Sequence, residues 1–204
     1  MKNILSLFDW TGTWAEPYAE AARSTGEYDV YYFDIKDGMD INDFSVEFLI
    51  EEMGIDEVHG ILAAPPCTDF ASSGAQYWKA KDADGRTEAS LDLVYQVGRT
   101  IEFYQPKWWA LENPVGRLQK LIPELGKPWY FQPWEFGDAY TKKTGLWGDF
   151  NKEGLERLKT PVDPVRACAA GSWLMQLGGK SERTKELRSE TPKGFAQAFF
   201  ETNR

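Results

Sequence analysis

Residues 58–64 (VHGILAA) form a short, almost wholly apolar run that stops against Pro65, Pro66 and Cys67. A run of this length without polar alternation reads as a strand covered on both faces, the habit of parallel sheets. The two prolines lack the N–H groups that would carry its ladder onward. Parallel neighbours need long crossovers, and helical patterns separate this run from similar ones on either side. The alternation predicts an α/β fold: a mostly parallel central sheet with helices on both faces. Cys67 then falls just beyond the carboxyl end of a strand, where open sheets keep their ligands. It is either a core cysteine capping a strand or a nucleophile held out by a rigid loop.

The flanking units follow the same rhythm. Residues 2–8 form an apolar strand candidate that runs into a tight turn, Asp9-Trp10-Thr11-Gly12-Thr13, and a helical pattern over 14–23 with Pro17 in its first turn. Strand, glycine turn and helix together open a Rossmann-like sheet, although one glycine is not a G-x-G-x-x-G fingerprint. The next strand, 28–33, ends in Asp34, at the distance from the turn where such sheets hold ribose hydroxyls. A helical period covers 44–53. Residues 68–85, rich in Ser, Gly, Ala, Asp and Lys, have the composition of a mobile loop. A long helix is predicted over 87–104, ended by Pro106, and a buried strand over 107–111 that stops at Glu112-Asn113-Pro114. Prolines and glycines over 151–177 predict loops and short elements, and 192–201 closes as a helix with Thr191 as its cap.

The bulk properties narrow the setting. A chain of 204 residues suits one domain, spanning 1–204, and no apolar run is long enough to cross a bilayer. The first residues read as a strand and not as a signal peptide, so the expectation is a cytoplasmic protein. Two cysteines, Cys67 and Cys168, and one histidine, His59, leave no Cys/His zinc set and no disulfide framework. The net charge of −9 opposes nucleic-acid binding by bulk electrostatics, yet residues 151–204 carry ten Lys/Arg against seven Asp/Glu. A mildly basic tail is compatible with local phosphate contacts, or is simply a solvated face.

Two strand ends therefore each deliver a polar group, Cys67 and Glu112. If the strands are neighbours at ~4.8 Å, both side chains reach one crevice, the thiol as nucleophile and the carboxyl as proton donor or hydrogen-bond partner. His59, eight residues upstream on the same strand, lies about 26 Å from Cys67 at 3.3 Å per residue and is not its base. The aromatic residues crowded between Trp129 and Trp147 read as core, with a few rings able to stack on a base.

In order and spacing these pieces resemble the cytosine C5 DNA methyltransferases, particularly short phage-type members. The turn from Leu7 to Thr13 is similar to the family's first S-adenosylmethionine motif, Pro65-Pro66-Cys67 to its catalytic loop, and Leu111-Glu112-Asn113-Pro114 to its Glu-Asn-Val motif. Ser189-Glu190-Thr191-Pro192 followed by Phe195-Ala196 resembles the last motif, whose helix returns to the cofactor. The resemblance implies a Rossmann-like S-adenosylmethionine-dependent methyltransferase fold and a DNA (cytosine-5)-methyltransferase in a bacterial or phage-infected cell. Its cofactor residues would be Phe8, Asp9, Gly12, Thr13, Trp14, Asp34, Ile35, Asp40, Ile41, Pro65 and Glu190. Its catalytic residues would be Cys67 as the thiolate that adds to C6, Glu112 at the N3/N4 edge of the base, Asn113 holding the Cys67 loop, and Lys142.

Two departures stand out. Where the family has Gln-x-Arg-x-Arg, this chain has Tyr140-Thr141-Lys142-Lys143-Thr144; Lys142 can replace one positive contact without its fork, and Thr144 cannot replace the other. Residues 150–187 form a reduced segment where the family inserts a target-recognition domain. Sequence specificity is therefore expected to be low, absent, or supplied by a protein partner, with cytosine-containing DNA as substrate. A free cytidine nucleotide or RNA is the alternative substrate. A binding protein that kept the fold and lost turnover is the alternative to an enzyme.

Overall fold

Alternating burial along each strand shows how the sheet is made. In a computed structural model, which describes residues 1–41, 46–165, 173–177 and 181–204, β1 (Lys2–Leu7) sends Ile4 into one core and Leu5 and Leu7 into another. The first core lies against α1 (Glu16–Thr25), which follows β1 and leads into β2 (Tyr28–Phe33). The second receives Phe33, then Leu49 from α2 (Val46–Glu51), and Ile61 and Ala63 from β3 (Gly60–Ala63), while Leu62 points back to the first. Period-two alternation with both faces apolar requires helices on both sides, and the chain provides them.

Residues 72–83 are not the loop their composition predicts. Ser72–Tyr77 forms a 3₁₀ helix and Trp78–Ala83 an α-helix, α3. The reason is tertiary: Lys81 pairs with the Asp69 carboxylate and the Trp78 ring takes the Arg117 guanidinium on its face, contacts that composition alone does not reveal. The long α4 (Arg86–Tyr104) follows, with Val94 and Val97 in the second core, and then β4 (Trp108–Pro114). After α5 (Leu118–Leu121) come β5 (Trp129–Phe131), β6 (Thr144–Asp149) and α6 (Lys152–Arg157). The described chain closes with α7 (Glu182–Ser189) and α8 (Lys193–Thr202).

The six strands run in the order β2-β1-β3-β4-β6-β5. β1 pairs in parallel with β2 and β3, and β3 with β4, while β6 lies antiparallel between β4 and β5. The mostly parallel Rossmann-like sheet is therefore present, with one reversed strand. That strand has a consequence for β4. The expected strand end at Leu111 gives way to a strand that continues through Glu112, Asn113 and Pro114, because Leu146, Gly145 and Thr144 of β6 pair with them. Pro114 has no N–H to offer the ladder and closes the strand.

The carboxyl-terminal helix α8 locks the first core. Phe195 stacks on Phe131 at 3.8 Å, and Phe199 meets Trp14 and Trp108 edge-on at 5.7 and 5.5 Å. Thr191 does not cap this helix as its position suggests. Pro192 occupies the cap position, and Asp138 Oδ2 accepts the Gly194 N–H at 2.8 Å instead. Trp14, fully buried among Phe195, Phe199 and Tyr18, is part of the same packing. Trp14→Ala is therefore expected to destabilise the protein by about 3–5 kcal/mol in urea unfolding; a variant of unchanged stability would remove Trp14 from the core.

Candidate active site

The turn after β1 is built around one buried carboxylate. Asp9 accepts from Ser6 Oγ at 3.1 Å, Thr11 Oγ1 at 3.3 Å and the Ala15 N–H at 3.2 Å, and so ties the strand to the start of α1. Burial still pushes its carboxyl above the ordinary value. Phe8, just before it, holds φ at +61°, a rare conformation for a side chain of that size, while its N–H donates to Phe33 O at 2.7 Å. Gly12 adopts φ +66°, where glycine meets no Cβ penalty.

Beyond this turn opens a cavity of about 680 Å³ between Thr11-Gly12-Thr13, α1, α7 and the start of α8. That is the size range of cofactor sites. Its walls carry acids (Glu16, Glu20, Glu186, Glu190) and two bases, Arg183 and Lys193. Both signs of charge suit a zwitterionic amino-acid end.

A second cavity, of about 80 Å³, adjoins the first, and Thr11 lines both. Its wall includes Phe8, Asp9, Pro65, Cys67, Glu112 and Lys142. The parallel register of β3 and β4, with Ala63 opposite Leu111, delivers the thiol and the carboxyl to the same place. Asn113, fully buried, donates through Nδ2 to Pro65 O at 3.1 Å and links β4 to the cysteine loop. Lys142 Nζ lies 3.9 Å from Glu112 Oε1 and donates to Glu190 O at 2.9 Å. Burial raises both groups: it pushes the Glu112 carboxyl up against the pull of Lys142, and it pushes the Cys67 thiol up with help from the nearby Glu112. Among the described residues, Glu112 Oε1 and Asn113 Oδ1 are buried without a hydrogen-bond partner, and of the two only Glu112 lines the cavity.

The residues predicted from sequence therefore divide. Phe8, Asp9, Pro65, Cys67, Glu112 and Lys142 line the small cavity, and Gly12, Thr13 and Glu190 the large one, with Thr13 Oγ1 3.4 Å from Glu190 Oε1. Asn113 sits behind them. Trp14 is corrected to a core residue: its ring packs against Phe195 and Phe199 of α8, whose aromatic face takes it into the first core. Ile41 is likewise buried in the second core beside Phe33. Ile35 is 69% exposed, and Asp34 spends a carboxylate oxygen capping its own turn by accepting the Lys36 N–H. Neither of these, nor Asp40, lines either cavity. Cys168 lies outside the described residues. His59 precedes β3 at the opposite end, as its spacing implies.

Sequence reasoning missed the contribution of α7. Arg188 and Ser189 line the small cavity, and Glu186 accepts from Trp10 Nε1 at 3.3 Å. The helix buries only Thr184 among its described side chains, so no apolar period announced it. Its one local signal was Ser181, whose side chain accepts the Thr184 N–H as a cap. Among the described residues no cluster of three His, Cys, Asp or Glu could hold a metal ion, and no helix is long and apolar enough to cross a membrane.

The fold is shared with a crystal structure of a prophage-encoded DNA modification methyltransferase from E. coli, at a TM-score of 0.54 and 17% identity over 81% of this chain and 53% of that one. The sequence profile of the C-5 cytosine-specific DNA methylases matches residues 17–121, and the chain belongs to that family. It is also 33% identical over 67 residues to the Type II methyltransferase M.DdeI of Desulfomicrobium norvegicum, a third of this chain and 14% of that protein. The chain thus spans about half, or less, of the length of these relatives.

The raised Glu112 carboxyl has a measurable consequence. Its proton is held more tightly in the folded than in the unfolded chain, so its contribution is complete below the ordinary pKa of 4.5 and is lost as pH rises toward the folded value. Relative to wild type, Glu112→Gln is expected to gain stability in urea unfolding as pH increases from 4.5 to 7; a difference independent of pH would show that the carboxyl is not held protonated.

Proposed function

We propose that this protein transfers a methyl group from S-adenosylmethionine to C5 of cytosine in DNA through a covalent adduct of Cys67 at C6. The observation that carries the reading is the convergence of the Cys67 thiol, the buried Glu112 carboxyl and Lys142 on one cavity that opens beside a cofactor-sized one. Family membership supports it.

When bound, the cofactor supplies an electrophilic methyl group on a sulfonium. Thr11, Gly12 and Thr13 would hold it from the turn after β1, with Glu190 and Lys193 facing its charged end. The chain's own residues supply the rest. Cytosine C5 is a poor nucleophile, and addition of the Cys67 thiolate to C6 moves the ring's electrons onto C5. Glu112, biased toward its protonated form by burial, donates to N3 and takes up the charge that develops there. Asn113 keeps the cysteine loop against β4 through Pro65 O. Once C5 carries the methyl group, loss of its proton to solvent, expulsion of the Cys67 thiolate and return of the N3 proton to the Glu112 carboxylate restore the ring. A cytosine in a duplex reaches this crevice only when flipped out of the stack.

The reading treats residues 1–204 as one catalytic domain. The 150–187 segment carries α6, whose Leu155 is buried in the first core, and most of α7, which lines the cavities. That supports a reduced recognition role, with sequence preference low or supplied by a protein partner.

Mass spectrometry of nucleosides from DNA incubated with protein and S-adenosylmethionine is expected to show 5-methylcytosine, and Cys67→Ala to reduce it roughly 10³-fold or more. DNA containing 5-fluorocytosine should trap the wild-type protein and not the variant. Full transfer by Cys67→Ala would overturn the covalent route. Label appearing only in RNA or free cytidine nucleotides would change the substrate, and cofactor binding without transfer to any cytosine polymer would leave a binding protein.

A further inference from the structure

The backbone that follows Cys67 is gripped from outside by two buried cations. Lys81 of α3 is 5% exposed; its ammonium pairs with Asp69 Oδ1 at 2.9 Å and donates to Thr68 O. Arg117, just before α5 and 7% exposed, donates through Nε to Asp69 O at 3.0 Å. Its other nitrogens bond the Asp82 carboxylate at 2.8 and 2.9 Å and Thr87 Oγ1 at 2.8 Å, and its guanidinium lies 4.8 Å from the Trp78 ring. Main-chain bonds complete the grip. Phe70 O accepts the Arg117 N–H, while the Phe70 and Ala71 N–H groups donate to Cys67 O. The carbonyls of residues 67 to 70 are all engaged, two of them by side-chain cations.

Stability alone is a weak reason for such charges. A buried ion pair adds little over well-packed apolar residues of the same volume, although breaking one is costly. What these two share is their target, the residues directly after the thiol. Asp69 also bears on the thiol electrically. The groups around Cys67 are the carboxyls of Glu112, Asp9 and Asp69 and the cations Lys142 and Arg188. Asp69 acts against the thiolate, and Lys81 sits on its carboxylate.

We propose that Lys81 and Arg117 are positioning residues for Cys67: together they fix the loop that presents the thiol, and Lys81 neutralises an Asp69 carboxylate that would otherwise oppose thiolate formation. The inference rests on the reading of Cys67 as nucleophile.

The test is the pH profile of Cys67 alkylation by iodoacetamide, followed by peptide mass spectrometry that separates Cys67 from Cys168. Lys81→Met removes the cation from the Asp69 carboxylate, to which Ser90 Oγ still donates at 2.6 Å, and is expected to move the profile to higher pH, slowing the reaction at pH 7.5 roughly three- to fivefold. Asp69→Asn leaves the Lys81 ammonium unpaired and is expected to move it to lower pH by a similar factor. Lys81→Arg should restore the wild-type profile. A purely structural clamp predicts a loosened loop and faster alkylation in both charge-removing variants. Shifts in the same direction, or profiles that do not move, would overturn the proposal. If Lys81→Met does not fold, Lys81→Gln, which keeps a donor for Thr68 O, makes the same comparison. Alkylation needs neither cofactor nor DNA, so a Cys67 that proved dispensable for methyl transfer would fail the proposed function without affecting this result.

Discussion

The indole of Trp108 lies across Gly60, its register partner on the adjacent strand, so closely that a Cβ there would fall 2.1 Å from the ring. Only glycine permits that approach. The contact fixes β4 against β3 at one end, and the register it sets puts Ala63 opposite Leu111 at the other, where the strands release Cys67 and hold Glu112. The same indole stacks on Tyr18 of α1 at 5.4 Å and meets Phe199 of α8 edge-on. A single aromatic thus links strand register, the helix that follows the first turn and the helix that returns to the crevice. The placing of the thiol beside the carboxyl is inherited from packing at the far end of the sheet.

Burial acts in opposite senses on the chemistry of those two groups. Raising the Glu112 carboxyl suits a proton donor, whereas raising the Cys67 thiol hinders a nucleophile. The two are linked, because the Glu112 carboxylate disfavours ionisation of the thiol. Lys142, 3.9 Å from the carboxyl, pulls both downward. A proton settling on Glu112 therefore removes part of what keeps the thiol protonated. That link suits the proposed reaction, in which addition at C6 and protonation at N3 would proceed together.

Much of this architecture was legible because its signals are local. The strands β1 to β4 announce themselves as apolar runs bounded by Gly, Pro or Asp, and α4 as a long amphipathic period closed by Gln105-Pro106. The pairing of Cys67 with Glu112 followed from two strand ends and a crossover. What escaped has a common cause in partners distant along the chain. Residues 72–83 fold because Lys81 and Trp78 find Asp69 and Arg117, and α7 is seated through Trp10, Thr13 and Lys142. Trp14 and Ile41, expected at the cofactor, turn into the two cores, since a motif's position in sequence does not say which face a side chain takes. β5 was hidden by its length of three residues in an aromatic-rich stretch.

The reversed strand β6 extends the hydrogen-bonded ladder of β4 through Asn113 and Pro114, so the carboxyl of Glu112 belongs to the sheet, while the thiol rides on a loop two prolines beyond its strand. The two halves of the site therefore differ in mechanical kind. One is anchored in the hydrogen-bonded sheet and serves as a reference. The other stands on a cantilever whose stiffness is set by side chains of other segments. In the proposed reaction, what adjustment the clamped loop allows falls to the sulfur, and the carboxyl is the datum against which it is made.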